Sequence, residues 1–375
     1  LITGITRLTA TPCLALASVL LSAALISQSA RANEAAYVLL YHHISRDTPV
    51  STSVTEEQFA VHMNYLDENN YRVVPLEKIL NAVEKGKKIR SRSVAITFDD
   101  AYPSVYDNAV PILENNKWPF TVFASGEAID NASKVALTGA ATSYMTWDQL
   151  RELERKRGTI GNHGYKHQHM LSREPDETDQ QWRERIAGDI KYAQSRLEAE
   201  LNKPAKILAY PYGEFDAELM ALTAELGFLA VGQQSGPVGP SSSARAAPRF
   251  PLSSEYADLP RVSEKLNSLP FEIRSPAAPA TLLVLGEDKP TLELKVAPGP
   301  YRASNLTCFV SAQGTAKVRW QNSASTFAKI TARQPLRIGR TNYTCTAPHE
   351  SIPSLFFWYT HVYMRREEDG SWYQN

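Results

Sequence analysis

The 375 residues predict an α/β chain, a parallel sheet or barrel with helices outside it, followed by a small all-β sandwich. From Tyr37 to about Leu269, apolar runs of strand type alternate with segments of helical period, the pattern of a parallel sheet wrapped by helices. Beyond Ser275-Pro276-Ala277-Ala278-Pro279-Ala280, which reads as a linker, the helical period disappears and short strand-type runs follow one another. The length is too great for one ordinary core, so one large or two smaller domains are expected.

The N-terminus reads as a targeting segment. Arg7 precedes an apolar stretch from Pro12 to Ile26, and Ala30-Arg31-Ala32 has the small-x-small form of a cleavage site, so residues 1–32 are expected to be a signal peptide. The run is short for a membrane span, with an uncleaved anchor as the alternative. Cys13 lacks the Leu three residues earlier that a lipoprotein site normally carries, and Leu1 in place of Met reads as an alternative start or a trimmed sequence. The expected location is periplasmic or secreted, with no transmembrane span after cleavage.

The first domain is expected over residues 33–272. Its strand-type runs are Val38 to Tyr41, Tyr71 to Val74, Ser93 to Phe98, Phe120 to Ala124, Thr159 to Asn162, Lys206 to Tyr210 and Phe228 to Gly232. Thr55-Glu56-Glu57-Gln58 is a capping box before Phe59, Met63 and Leu66, which share one helical face. Leu76, Ile79, Leu80 and Val83 repeat that spacing before Gly86 ends the helix. Thr146-Trp147-Asp148-Gln149 is a second capping box, ahead of Leu150 and Leu153. Ser235 to Pro251, rich in Gly, Ser, Ala and Pro, reads as a long loop. In such folds sites gather at the C-terminal ends of the strands.

The linker is placed at 273–280 and the second domain at 281–375, with strand-type runs Thr281 to Leu285, Thr291 to Val296, Leu306 to Val310, Ala316 to Trp320, Phe327 to Thr331 and Leu355 to Met364. In an oxidising compartment Cys308 and Cys345 read as a structural disulfide. With Trp320, and with Tyr343 two residues before the second cysteine, they suggest an immunoglobulin-like core, although their separation is short for that fold. In Phe356-Phe357-Trp358-Tyr359, strand alternation puts Phe357 and Tyr359 on one face and Phe356 and Trp358 on the other. One face is expected to fill the sandwich and the other to meet the first domain or a glycan.

Composition is that of a globular protein, 43% hydrophobic and 21% charged, and Lys+Arg and Asp+Glu both number 40. No net field points to nucleic acid or an anionic membrane, so partners must be inferred from sites.

Three segments carry chemistry, each where a strand should end. Thr97-Phe98-Asp99-Asp100 places two carboxylates after a buried run; taken alone, this also fits a helix cap beside a solvated neighbour. In Asn162-His163-Gly164-Tyr165-Lys166-His167, two histidines four apart share one face of a helical turn, which suits a common metal ion. Ala209-Tyr210-Pro211-Tyr212-Gly213 runs a strand into a tight turn.

Asp-Asp, then His-x-x-x-His, then Pro-Tyr-Gly, in this order on successive strand ends, resembles the polysaccharide deacetylase family with its NodB homology domain (carbohydrate esterase family 4). The resemblance spans roughly residues 37 to 235, and Tyr41-His42-His43, Thr121-Val122-Phe123 and Thr146-Trp147 strengthen it. It implies a distorted (β/α) barrel and hydrolytic removal of N-acetyl groups from an N-acetylglucosamine-containing polysaccharide. It implies that Asp100, His163 and His167 ligate a divalent metal, most often zinc, a chemically sensible catalytic set of two nitrogens and one carboxylate. Asp99 would then be the general base for a metal-held water, the nucleophile, and the backbone N–H of Tyr212 would help hold the tetrahedral oxyanion.

The chain departs from the family pattern in three places. The usual late Leu-x-His is missing, since no histidine lies between His169 and His349. The early Tyr41-His42 instead resembles the circularly permuted branch that includes deacetylases of biofilm poly-N-acetylglucosamine, which assigns His42 as the general acid, with His43 as the less favoured holder of that role and better read as a structural neighbour. His169 falls on another face of the turn from His167 and reads as a bystander. The Arg usually found two residues before the motif Pro is Ala209 here, and Arg249 in Pro248-Arg249-Phe250-Pro251 is the candidate to supply its charge from the loop. The usual Asp-x-x-Asp-Trp motif is unrecognisable, which puts the acetyl pocket in question.

Tyr102, Trp147, Tyr165 and Tyr212 stand near these strand ends with rings that can stack on sugars, although Trp147 beside a helix cap reads better as core. The polymer is expected to be poly-N-acetylglucosamine or peptidoglycan. The rival readings are a glycan-binding protein on an inactivated deacetylase scaffold, and a metal hydrolase of other esters or amides.

Overall fold

The computed structural model describes residues 34–275 and 280–373. The expected signal segment and the centre of the expected linker lie outside the described residues. Eight strands form one curled sheet. They are β1 (Ala36–Tyr41), β4 (Arg72–Val73), β5 (Ser93–Phe98), β6 (Phe120–Ala124), β7 (Gly158–Asn162), β8 (Ile207–Ala209), β9 (Leu229–Val231) and β10 (Phe250–Pro251). Their order is β10-β1-β5-β6-β7-β8-β9 with β4 beside β5, and every pairing is parallel. Every residue of β1 and of β5 is buried, as expected of central strands covered on both faces. A short parallel ladder of β2 (His43–Ile44) and β3 (Ser53–Val54) lies beside the end of β1.

The two capping boxes close as expected. Thr55 and Gln58 bond reciprocally at the start of α1 (Glu56–Glu68), and Thr146 and Gln149 do so at the start of α5 (Trp147–Arg155). Between them lie α2 (Leu76–Glu84), α3 (Val110–Asn115) and α4 (Gly126–Ala136); α6 (Asp179–Glu200), α7 (Ala217–Glu225) and α8 (Leu259–Leu266) follow. The longest, α6, opens on a third capping box, Thr178 with Gln181, and buries Trp182, Ile186, Ile190, Ala193 and Leu197.

The expected loop 235–251 is strand-like at its end. Ala247 bridges Val231 and Phe250 pairs with Leu39, so this segment spans from β9 to β1, the two sides of the curled sheet. Gly, Ser and Pro at its start hid the pairing of its last residues.

The C-terminal β region comprises two sheets. One has the order β11-β19-β18-β14-β15 and the other β12-β13-β17-β16. The strands are β11 (Ser268–Pro270), β12 (Ile273–Ser275), β13 (Thr291–Val296), β14 (Thr307–Val310), β15 (Gly314–Thr315), β16 (Lys317–Trp320), β17 (Phe327–Thr331), β18 (Gly339–Pro348) and β19 (Phe356–Arg365). Inward residues of both sheets, among them Leu292, Leu294 and Ile330 from one and Val310, Tyr343 and Phe357 from the other, share one core. Thr281 to Leu285 makes only a single bridge, Leu282 to Met364, and not the expected strand. Ser268–Pro270, expected within the first domain, pairs with β19 and so joins the second sheet.

Cys308 and Cys345 are bonded. They face each other across β14 and β18 of the same sheet, whereas the immunoglobulin pattern bridges two sheets. The two layers stand, and the immunoglobulin likeness loses its main support. Phe357 fills the core against Phe271 and Tyr301, while Trp358 packs on Phe250 of the parallel sheet.

His62 ties α1 to the chain before α8. Its Nε2 lies 2.6 Å from the Ala257 carbonyl and its Nδ1 3.2 Å from the Tyr41 hydroxyl, a pairing that the neutral ring satisfies at both nitrogens. Burial holds its pKa down at about 4, against 6.5 for the free side chain. The folded state therefore disfavours the proton, and stability present above pH 6.5 is lost as pH falls toward 4. The loss of unfolding free energy between pH 7 and pH 5, read from denaturant titrations, should be about 2 kcal/mol smaller in His62→Gln than in the parent.

Candidate active site

Because the sheet is parallel, the residues that follow β1, β5, β7 and β8 emerge on one rim, with neighbouring strands about 4.8 Å apart. Beyond β5 the backbone turns sharply through two left-handed residues, Asp100 (φ 71°) and Ala101 (φ 55°). The turn separates the adjacent carboxylates. Asp99 points into the interior, wholly buried, and Asp100 faces the rim.

The metal-ligand candidates come together. Asp100 Oδ1 lies 3.4 Å from His163 Nε2 and 3.2 Å from His167 Nε2. The two Nε2 atoms are 3.2 Å apart. Bonds of about 2.0–2.1 Å in a tetrahedral set place donors about 3.3 Å apart, so this triangle fits a zinc-sized divalent cation with a corner left open. The second nitrogen of His163, Nδ1, lies 2.7 Å from the Ala209 carbonyl, which fixes the tautomer and aims Nε2 at the shared point. Residue 209, where the resemblance led an arginine to be expected, thus orients the His163 ring through its backbone.

The His163–His167 segment is not the helical turn that the spacing suggested. It is an irregular loop with Gly164 (φ 74°) and His167 (φ 51°) left-handed. Asp189 of α6 holds it, accepting the N–H groups of Tyr165 at 2.8 Å and Lys166 at 3.2 Å. A Cβ on Gly164 would stand 2.9 Å from the Asp189 carboxylate, so the close approach excludes any side chain there. Asn162 closes the loop from below, its Oδ1 accepting the Gly164 N–H at 2.8 Å. Nothing in the local sequence marked Asp189, because it acts from a separate helix.

Arg249 lies where the charge was wanted. It is fully buried, and its Nη1 and Nη2 donate to Asp99 Oδ1 and Oδ2, both at 2.7 Å. Its Nε donates to the Gly232 carbonyl at 2.7 Å. Burial alone would raise the Asp99 pKa; the guanidinium, aided by the His163 and His42 imidazoles, outweighs it and holds the carboxyl below its ordinary range.

His42, Asp100, His163, His167 and Tyr212 all line one cleft of about 1490 Å³. Burial pushes the His42 pKa down, against the pull of both carboxylates. His43 points elsewhere, stacked on Tyr102 with ring centres 3.6 Å apart. Tyr102 and Tyr144, the latter not foreseen, also line the cleft. Trp147 is core, with its Nε1 donating to Asp130 at 2.8 Å, and Tyr165 packs against Tyr192. His169 is no ligand of the triangle, yet its ring stacks on Tyr212 at 4.0 Å and its Nδ1 pairs with Glu214 at 2.8 Å. It supports the third motif and is more than a bystander.

A curled parallel α/β sheet bearing an Asp-His-His donor triangle on its C-terminal rim defines a scaffold fitted to hold a divalent cation inside a broad cleft. Residues 86–231 match the family model for polysaccharide deacetylase, so the chain carries a polysaccharide deacetylase domain over this segment. His42 and Arg249 both lie outside the matched segment. The poly-beta-1,6-N-acetyl-D-glucosamine N-deacetylase of Escherichia coli (strain K12) is 28% identical over 204 residues, 48% of this chain and 30% of that protein. The protein of the same name from Staphylococcus aureus (strain MSSA476) is 26% identical over 209 residues, 54% of this chain and 69% of that one. The solved structure of IcaB from Ammonifex degensii shares the fold, with a TM-score of 0.53 and 20% identity over 62% of this chain and 97% of that one.

Metal content separates the roles of the adjacent carboxylates. After zinc loading and dialysis, His163→Ala should retain far less zinc than the parent, while Asp99→Asn should hold an equal amount.

Proposed function

We propose that this chain is an exported deacetylase that hydrolyses N-acetyl groups on an N-acetylglucosamine-containing polysaccharide, leaving free amines and acetate. The observation that carries the reading is the donor triangle beside a buried, arginine-tethered carboxylate at the edge of a large cleft. Pockets for small ligands hold about 300–1,000 Å³, and this cleft exceeds them, as a polymer substrate requires. The names of the two relatives favour a β-1,6-linked N-acetylglucosamine polymer over peptidoglycan.

Asp100, His163 and His167 would hold zinc or a similar cation, which would supply Lewis acidity toward the acetyl carbonyl and a nearby water. Asp99, kept ionised by Arg249, takes the proton of the attacking water. The Tyr212 N–H faces the charge that develops on the carbonyl oxygen. His42 gives a proton to the departing amine. Residues 33–272 form the catalytic domain in this reading, and the C-terminal β region is an accessory domain. The Cys308–Cys345 bond suits the oxidising compartment that a signal peptide over 1–32 would lead to. The missing motif arginine at Ala209 gives no support to an inactive glycan-binding scaffold, because Arg249 pairs with Asp99 from the loop.

Acetate release from acetylated glucosamine oligomers should stop on chelation and return with zinc; release that persists through complete metal removal would overturn the reading. Arg249→Met removes the charge that lowers the Asp99 pKa. Since the base works only when ionised, the acid limb of the rate profile should move to higher pH, measured as turnover against pH.

A further inference from the structure

The C-terminal β region reaches the catalytic rim directly. Along β18, Gly339, Thr341, Tyr343, Cys345 and Ala347 are buried, while the alternate residues turn the other way. Three of these, Arg340, Asn342 and Thr344, line the cleft. The outer face of this sheet is therefore a wall of the cleft that holds the donor triangle.

Arg340 does more than line it. Its guanidinium donates to the backbone carbonyl of Tyr212, and also to Gln233 Oε1 at 3.1 Å. Tyr212 is a non-glycine residue at φ 57°, ψ 3°, a conformation that persists only where its surroundings enforce it. The following Gly213 (φ 69°) packs so closely on Gln233 that a Cβ would stand 2.5 Å from it. Arg340 thus ties together both sides of this turn. A second link comes from the same region: the Tyr373 hydroxyl donates to Glu214, whose other oxygen pairs with His169, and the His169 ring stacks on Tyr212.

We infer that Arg340 is a positioning residue for deacetylation: from the C-terminal β region it holds Tyr212 in its left-handed conformation, so that the Tyr212 N–H faces the reacting carbonyl. The inference rests on the proposed deacetylase activity. Rotating Tyr212 into an ordinary conformation would swing its N–H off the developing oxyanion, and displacement of about 1 Å at such a contact can cost about a hundredfold in rate. The C-terminal β region is then part of the catalytic unit and not a detachable binding module.

The test compares the full chain with Arg340→Met, Arg340→Lys and Tyr373→Phe, using zinc-loaded protein and acetylated glucosamine oligomers. Arg340→Met should lower kcat by about ten- to a hundredfold with KM nearly unchanged and zinc content equal to the parent. Arg340→Lys should recover part of the loss. Tyr373→Phe, which loosens the second link and leaves Arg340 in place, should lower kcat in the same direction by less; if Arg340→Met does not fold, a lower kcat at unchanged KM in Arg340→Lys decides the matter. Amide hydrogen exchange over 210–214 should quicken in Arg340→Met and in Tyr373→Phe, while that over 160–163 stays as in the parent. A raised KM with unchanged kcat would make Arg340 a polymer contact and overturn the inference, as would unchanged exchange over 210–214. If the parent itself releases no acetate, the activity reading falls, and the exchange measurement alone still decides whether Arg340 holds the turn.

Discussion

Asp99 and Arg249 meet under the rim as a fully buried ion pair, and most of the site depends on that contact. Taking two charges out of water is expensive, and the attraction repays it only when the geometry is good and the remaining donors are satisfied. Here both carboxylate oxygens accept from the guanidinium at 2.7 Å, Nε is bonded to the Gly232 carbonyl, and Nη1 also reaches Thr97 at 3.3 Å. The pair draws the segment before β10 against β5, between β9 and β1, so the contact that charges the carboxylate also holds the two sides of the curled sheet together.

Above this pair, the rim is assembled from residues in unusual backbone conformations. Asp100, Ala101, His167 and Tyr212 are all left-handed non-glycine residues. Such conformations cost about 1–3 kcal/mol each and survive where packing over-determines them. Asp189 does this for the histidine loop, and the Glu214–His169 pair with Arg340 does it for the Tyr212 turn. The motifs also support one another: the carbonyl of Ala209 in the third orients His163 of the second, which aims at Asp100 of the first.

Much of this was legible from local pattern. All strands of the parallel sheet except β10 announced themselves as strand-type runs, and two helices did so through capping boxes, because those signals depend on neighbours in sequence. The helix α6 carried the same signals, Thr178 with Gln181 and then Trp182, Ile186 and Ile190, but sat in a strongly polar stretch that masked its buried face. Strand β18 was hidden in another way: its outward positions are Arg340, Asn342 and Thr344, so its inward Tyr343 and Cys345 never formed an apolar run. The disulfide was legible as a pairing, while its place within a single sheet was not, since that depends on which strands become neighbours.

The sequence by itself brought forward the candidate side chains, Asp99, Asp100, His163, His167 and His42, and the strand ends on which they stand, while the roles expected of them came from the resemblance. Local pattern is enough to place them together, because a parallel sheet gathers its strand ends on one rim whatever the loops do. Only the tertiary structure decided that Arg249 reaches Asp99, 150 residues away in sequence, that Asp189 shapes the histidine loop, and that Arg340 meets the Tyr212 turn. Those contacts join segments with no sequence relation to one another, and only the fold brings them within hydrogen-bonding reach.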